Sequence, residues 1–258
     1  MTELAEYKTD NRIAYITLNR PEKRNALNPE LVKSLTNLFL KAGNDEEVKV
    51  VVLKAAGEVF SAGADLEYLQ TLQNNSSQDN LEDTVALKNL FYSIYTLPKL
   101  VIAQVEGHAI AGGCGLAAVC DIVFAVPEAK FGYTEVKIGF VPALVACFLV
   151  RKLGEGRVRE LLLSGELIDA VKASDYGLIN FVTDKISISS QVRTYAERAA
   201  AGVSGNSLSI TKQLIQSAQN LSLEESLEEA VRLNVKTRSS ADCKKGIASF
   251  LGKKKLEW

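Results

Sequence analysis

Apolar and polar positions fall into two rhythms along this chain, one of period two and one of helical spacing, and the alternation between them predicts its elements. Ile13 to Leu18 (IAYITL) is rich in β-branched residues and ends at Asn19-Arg20-Pro21, which predicts a strand running into a turn. After a basic loop, RPEKRNALN, the run Asn28-Pro29-Glu30 supplies an N-cap, a first-turn proline and a first-turn acid. Leu31, Val32, Leu35, Leu38 and Phe39 then recur at helical spacing, so an amphipathic helix is expected to about Gly43. Val48 to Leu53 (VKVVVL) is nearly continuously apolar, as a strand covered on both faces is. A short helix is expected to open near Asp65, after the small-residue loop AAGEVFSAGAD. The tract QTLQNNSSQDNLED has no period and reads as a mobile loop, followed by a helix from Leu87 to Leu97 that stops at Pro98.

Leu100 to Val105 and Ile122 to Val126 are the third and fourth expected strands, with AGGCGLAAVC between them. This order of strands and helices predicts an α/β protein. From Pro142 onward the pattern is helical: ALVACFLVRKLG, GRVRELLLSG, Ala170 to Tyr176 ended by Gly177, and nearly everything beyond Gln191. The expected division is a core over residues 1–195 and a helical module over residues 196–258.

Length and composition narrow the picture. With 258 residues, 47% hydrophobic, the chain can bury one large core, and a net charge of −1 gives no global field toward nucleic acid or a membrane surface. The first residues lack the basic and apolar regions of a signal peptide. The longest apolar tract, Leu100 to Val126, is interrupted by Glu106, His108 and Asp121. Four cysteines without CxxC spacing are expected as reduced thiols in a cytoplasmic protein.

The available chemistry is limited. A single histidine rules out a three-histidine metal site, and no HExxH, paired CxxC or GxxxxGK[ST] run is present. No GxSxG elbow accompanies His108, which is expected to be a satisfied loop residue. Gly113-Cys-Gly115-Leu-Ala-Ala118 fits GxGxxA, but only about six residues separate Gly115 from the next apolar run, fewer than a crossover helix needs, so a dinucleotide site is rejected. What remains is a carboxylate, Glu135, and two loops of small residues, Ser61 to Asp65 and Ala111 to Gly115. Each loop opens a helix, so exposed N–H groups from the two could converge on one ligand oxygen.

Three stretches, FSAGADL, AQVEGHAIAGGCGLAAVCDIVFA and FGYTEVKIGFVPA, resemble the signatures of the enoyl-CoA hydratase/isomerase (crotonase) superfamily. ITLNRPEKRNALN, LLLSGELIDAVKASDYGLIN and KKGIASFLGKKK agree with it, so the resemblance covers nearly the whole chain. It implies a ββα spiral with two nearly perpendicular sheets, a C-terminal helical trimerisation module, and trimers or dimers of trimers. It implies an acyl-CoA thioester substrate, no cofactor beyond the substrate's own coenzyme A, and no nucleic-acid or membrane partner. By resemblance, the oxyanion hole falls on the N–H groups of Ala62 and Gly112, and Glu135 is the catalytic acid/base. Contacts to the CoA thioester are expected from Lys23, Arg24, Ala26, Ala62, Gly63, Ala64, Asp65, Leu66, Gly112, Gly113, Phe250 and Lys253, with Lys254 alongside.

The chain departs from the pattern at one position. Hydratases of this family carry a second glutamate three residues after the oxyanion-hole glycine, and here that position is Gly115. Glu106, Tyr133 and Cys114 are candidate replacements. The first expectation is a hydratase for a short or branched 2-enoyl-CoA, the methylglutaconyl type included. The second is an enoyl-CoA isomerase using Glu135 alone, and the third is an acyl-CoA-binding scaffold with little catalytic power. Acyl-chain selection is expected to rest on the 70–83 loop and on the wall from Phe140 to Val150.

Overall fold

The computed structural model describes residues 3–256 and 258. Strands β1 (Ala5–Asp10) and β2 (Ile13–Leu18) form an antiparallel hairpin, with Asn11 and Arg12 both at positive φ in its two-residue turn. Helix α1 (Pro29–Asn44) starts on the Asn28 side chain, which accepts from the Leu31 N–H at 2.9 Å. It leads to β3 (Val50–Ala55), α2 (Leu66–Leu72) and α3 (Ser77–Thr96). Then come β4 (Leu100–Val105), β5 (Ala109–Ile110), α4 (Gly112–Ala118), β6 (Ile122–Ala125) and β7 (Lys130–Gly132). A 3-10 turn over Glu135–Ile138 precedes α5 (Ala143–Leu153), α6 (Glu155–Ser164), β8 (Ile168–Asp169), α7 (Ala170–Tyr176) and β9 (Phe181–Val182). The chain ends in α8 (Ile188–Gly202), α9 (Gly205–Ala218), α10 (Leu223–Arg238) and α11 (Ala241–Leu251).

Two sheets organise these elements. The larger has the order β1-β2-β3-β4-β6-β9, parallel except at the first hairpin, and the smaller has the order β5-β7-β8. Strands β3 and β4 are buried on both faces over most of their length, which is why they read as apolar runs. On one side Leu31, Leu35 and Phe39 of α1 pack with Leu90, Phe91 and Ile94 of α3, and on the other α8 contributes Ile188, Val192, Ala196 and Ala200. The expected boundary at 195 therefore falls inside a helix that belongs to the sheet's packing. No helix among the described residues is long and apolar enough to cross a membrane.

Two expectations change. The tract expected to be a mobile loop is mostly helix, because α3 begins ten residues before the apolar period becomes visible. A capping box starts it, Ser76 Oγ accepting from the Asp79 N–H at 3.2 Å while Asp79 Oδ2 accepts from the Ser76 N–H at 3.0 Å. Strand β1 gave no signal because only Ala5 of its six residues is buried.

Candidate active site

The loop Ser61 to Asp65 is held from below by a buried polar lattice. Asn25, fully buried at φ 53°, accepts from the Arg20 N–H at 2.8 Å and donates to the carbonyls of Ala56 and Val59, each at 2.8 Å. Ser61 Oγ donates to the Asn25 carbonyl at 2.8 Å. Arg20 donates to Asp65 Oδ2 at 2.9 Å and to the Ala26 carbonyl at 2.6 Å, while Asp65 Oδ1 caps α2. Burial would raise the Asp65 carboxyl, but Arg20 and the Tyr68 and Glu67 N–H groups outweigh it and hold the pKa below its usual value. Asn25, Ser61 and Arg20 are positioning residues that the sequence reading missed, since their partners are up to 45 residues away.

The second loop docks on the first. Ser61 pairs with Ala109, its N–H donating to the His108 carbonyl at 3.2 Å and its carbonyl accepting from Ile110 at 3.0 Å. Ala111 then adopts φ 51°, ψ −126°, a conformation costly for a residue with a Cβ, and turns the Gly112 N–H outward. Gly63, at φ +90°, makes the approach possible: a Cβ there would sit 2.8 Å from Ala111 Cβ and 3.5 Å from the Gly112 nitrogen.

This packing corrects the expected oxyanion hole. The Ala62 N–H donates to the Arg24 carbonyl at 3.0 Å and is committed within the fold. Two residues on, the Ala64 N–H donates to no acceptor among the described residues, and neither does the Gly112 N–H at the start of α4. Leu27 fixes this geometry, pairing with Ala64 through its N–H to the Gly63 carbonyl at 2.7 Å and its carbonyl to the Asp65 N–H at 2.9 Å.

Both free donors open on a cavity of about 250 Å³ whose wall is mostly apolar, including Val32, Leu66, Leu87, Phe91, Phe140 and Val145. Glu135 enters it from the 3-10 turn. One carboxylate oxygen, Oε2, is buried without a hydrogen-bond partner, and burial raises the carboxyl pKa above its ordinary value. Such a group is poised to exchange a proton with whatever fills the cavity.

The space beside Gly115 is occupied. A Cβ on Gly115 would lie 2.6 Å from Val145 Cγ1 and 3.0 Å from Phe91 Cζ, so a larger side chain has no room. None of the candidate replacements lines the cavity. Cys114 is buried, its thiol pushed up to about 12 by burial, and the Tyr133 hydroxyl is buried beside it, its pKa raised well above the usual value first by burial. Glu106 accepts from Gln104 at 2.6 Å instead. His108 accepts from the Lys130 N–H at 3.1 Å, as a loop histidine does.

The remaining expected contacts divide. Leu66 lines the cavity and is exposed; Lys23 stands on Glu67 at 2.5 Å, and Arg24 is exposed beside it. Ala26, Gly113 and Asp65 are buried in the scaffold and do not line the cavity; a Cβ on Gly113 would meet Ser61 at 2.5 Å. Phe250 and Lys253, at the end of α11 and just beyond, are exposed and also lie outside the cavity wall.

The profile of the enoyl-CoA hydratase/isomerase family matches residues 8–258. The chain belongs to the enoyl-CoA hydratase/isomerase family. A Thermus thermophilus protein whose name assigns it provisionally as an enoyl-CoA hydratase is 40% identical over 242 residues, covering 94% of this chain and 95% of its own. The 2,3-dehydroadipyl-CoA hydratase of Escherichia coli is 32% identical, covering 94% and 93%. Among solved structures, an enoyl-CoA hydratase of Mycobacterium smegmatis superposes with a TM-score of 0.92 at 27% identity, covering 99% of this chain and 98% of that one. The chain is thus a member of an enzyme family with the crotonase fold, and the relatives reported above bear hydratase names.

Proposed function

We propose that this enzyme hydrates a short or branched 2-enoyl-CoA with Glu135 as its single acid/base. The observation that carries the reading is the buried, unpartnered Glu135 oxygen in the cavity onto which the Ala64 and Gly112 N–H groups open. The thioester oxygen sits between those donors, which stabilise the enolate as charge moves onto it; one such donor is worth about 3 to 4 kcal/mol of transition-state stabilisation. Glu135 takes a proton from water as the water oxygen attacks C3. The enolate then collapses and C2 takes the proton back from Glu135, so H and OH are added across the double bond. Arg24 and Lys23, at the mouth of the oxyanion loop, are the cations offered to the CoA phosphates.

One observation favours a second reading, an isomerase. Phe91 and Val145 close the place where a second carboxylate would stand, and moving a double bond from C3 to C2 needs one carboxylate only, which removes a proton from C2 and returns it at C4. A scaffold without turnover is the third reading. Purified protein assayed with crotonyl-CoA, methylglutaconyl-CoA and a 3-enoyl-CoA separates the three. Hydration of a 2-enoyl substrate is expected; turnover of the 3-enoyl substrate alone sinks the hydratase reading, and turnover of none sinks both enzymatic ones. The assembly we propose is a homotrimer or a dimer of trimers in the cytoplasm, with α9 to α11 as its helical contact module.

A further inference from the structure

The acyl cavity has one polar corner that the chemistry above leaves unused. Asp83, Leu87 and Phe91 recur every four residues on one face of α3, Thr84 is next to Asp83, and all four line the cavity. Phe91 abuts Gly115 beside the reaction centre. Asp83, eight residues earlier at 1.5 Å per residue, is therefore about 12 Å away along the helix. A chain of about ten carbons held at Ala64 and Gly112 and running along α3 would end near it, whereas the reacting carbons would stay out of its reach.

Tyr68 of α2 fixes that carboxylate, its hydroxyl donating to Asp83 Oδ1 at 2.6 Å. Burial, and after it the hydrogen bond and charge of Asp83, raise the phenol's pKa, so it remains a neutral donor. Among the described residues no lysine or arginine lines the cavity. Behind this corner Tyr68 and Asp83 also wall an open groove of about 660 Å³, where Asp79 and Glu82 accompany them against one cation, Lys33. An arriving carboxylate would lose its water, find no cation, and face a like charge.

We propose that Asp83, held by Tyr68, is a charge filter at the distal end of the acyl cavity: neutral acyl chains are admitted and chains ending in a carboxylate are rejected. The filter rests on the reading of this cavity as the acyl site. It ranks a long acyl chain that ends in a carboxylate below a neutral chain of the same length.

Saturated acyl-CoAs test the filter without turnover. Calorimetry of decanoyl-CoA and its ω-carboxylated counterpart should show the neutral ligand bound at least about tenfold more tightly by the unaltered protein, the order expected for like charges a few ångströms apart. Asp83→Asn, which keeps an acceptor for Tyr68, should narrow that ratio about tenfold, and Thr84→Lys at the same exposed corner should reverse the preference. Equal affinities in the unaltered protein, or a ratio unmoved by both substitutions, would overturn the filter. Loss of 2-enoyl turnover with the binding preference intact overturns the hydratase reading and leaves the filter standing; binding of neither ligand overturns both.

Discussion

Glu135 carries more of the chemistry than one side chain usually does, because nothing shares its load. Its raised pKa fixes the sign of the pH dependence: a general base must be deprotonated, so kcat/KM should rise with pH through a value displaced above the ordinary glutamate range. The same shift makes the native state more stable below the unfolded-state pKa, with that stability lost as pH rises through the raised value. Glu135→Gln should therefore abolish the acidic limb, lower turnover about 10²- to 10⁴-fold, leave acyl-CoA affinity nearly unchanged, and raise Tm slightly at neutral pH. A pH–rate profile, a binding isotherm and a melting curve check the three. At Gly115 the issue is space. Gly115→Ala places a Cβ 2.6 Å from Val145 Cγ1, and the stiff Val side chain cannot step aside, so a loss of about 1 to 3 kcal/mol is expected in denaturant unfolding. Val145→Ala should remove most of that penalty, a coupling that a double-mutant cycle measures. Glu135 and Gly112 were legible in the sequence because their positions match signature stretches. The shift from Ala62 to Ala64 was not, because it depends on the Arg24 carbonyl capturing one N–H, a contact between segments that no local pattern encodes. The Phe91 and Val145 plug was hidden for the same reason.

Among the elements, α4 joins function to stability. Its first turn presents the Gly112 N–H to the cavity, and the carbonyls of Ala118 and Cys120 at its other end accept from Lys152 of α5, at 2.9 and 3.1 Å. Burial lowers the Lys152 pKa, yet the contact places a cation where helix carbonyls are unsatisfied. Lys152→Met should remove it, costing about 1 to 2 kcal/mol in denaturant unfolding. If the cap also positions α4, kcat should fall while KM changes little, whereas a purely structural cap would lower the unfolding midpoint and leave kcat in place. Elements with a buried face were legible: α1 from its N-cap and spacing, β2 and β4 from their apolar runs. The first turns of α3 were not, since from Ser77 to Thr84 the one apolar residue is Leu81, itself exposed, and their signal is a capping box; neither were β5, β7, β8 and β9, which are too short to show a period.

On the scale of the whole molecule, the helical module exposes a stripe of large apolar side chains. Leu223, Leu227, Val231 and Val235 follow one another at four-residue steps along α10 and are 77%, 58%, 64% and 62% exposed. Ile247, Phe250 and Leu251 of α11 are exposed as well. Monomeric proteins rarely leave such a stripe to water, because each side chain of this size gains about 1.5 to 3 kcal/mol on full burial. Glu224, Glu225, Glu228, Glu229, Arg232, Lys236 and Arg238 occupy most of the other positions of α10, so the stripe is one face of an amphipathic helix. Its placement in the module that the resemblance assigns to trimerisation argues for burial against further copies of this chain. Leu227→Glu combined with Val231→Glu should then shift the mass in light scattering from that of a trimer or hexamer to 28.0 kDa, with circular dichroism retained because neither side chain belongs to the buried core. A monomeric mass for the unaltered protein would refute the assembly. Phe250 and Lys253 lie outside the cavity of their own chain. If these residues act on a neighbour's cavity, the dissociated variant should show a raised KM for acyl-CoA with Glu135 chemistry otherwise in place, whereas an unchanged KM would confine the site to a single chain.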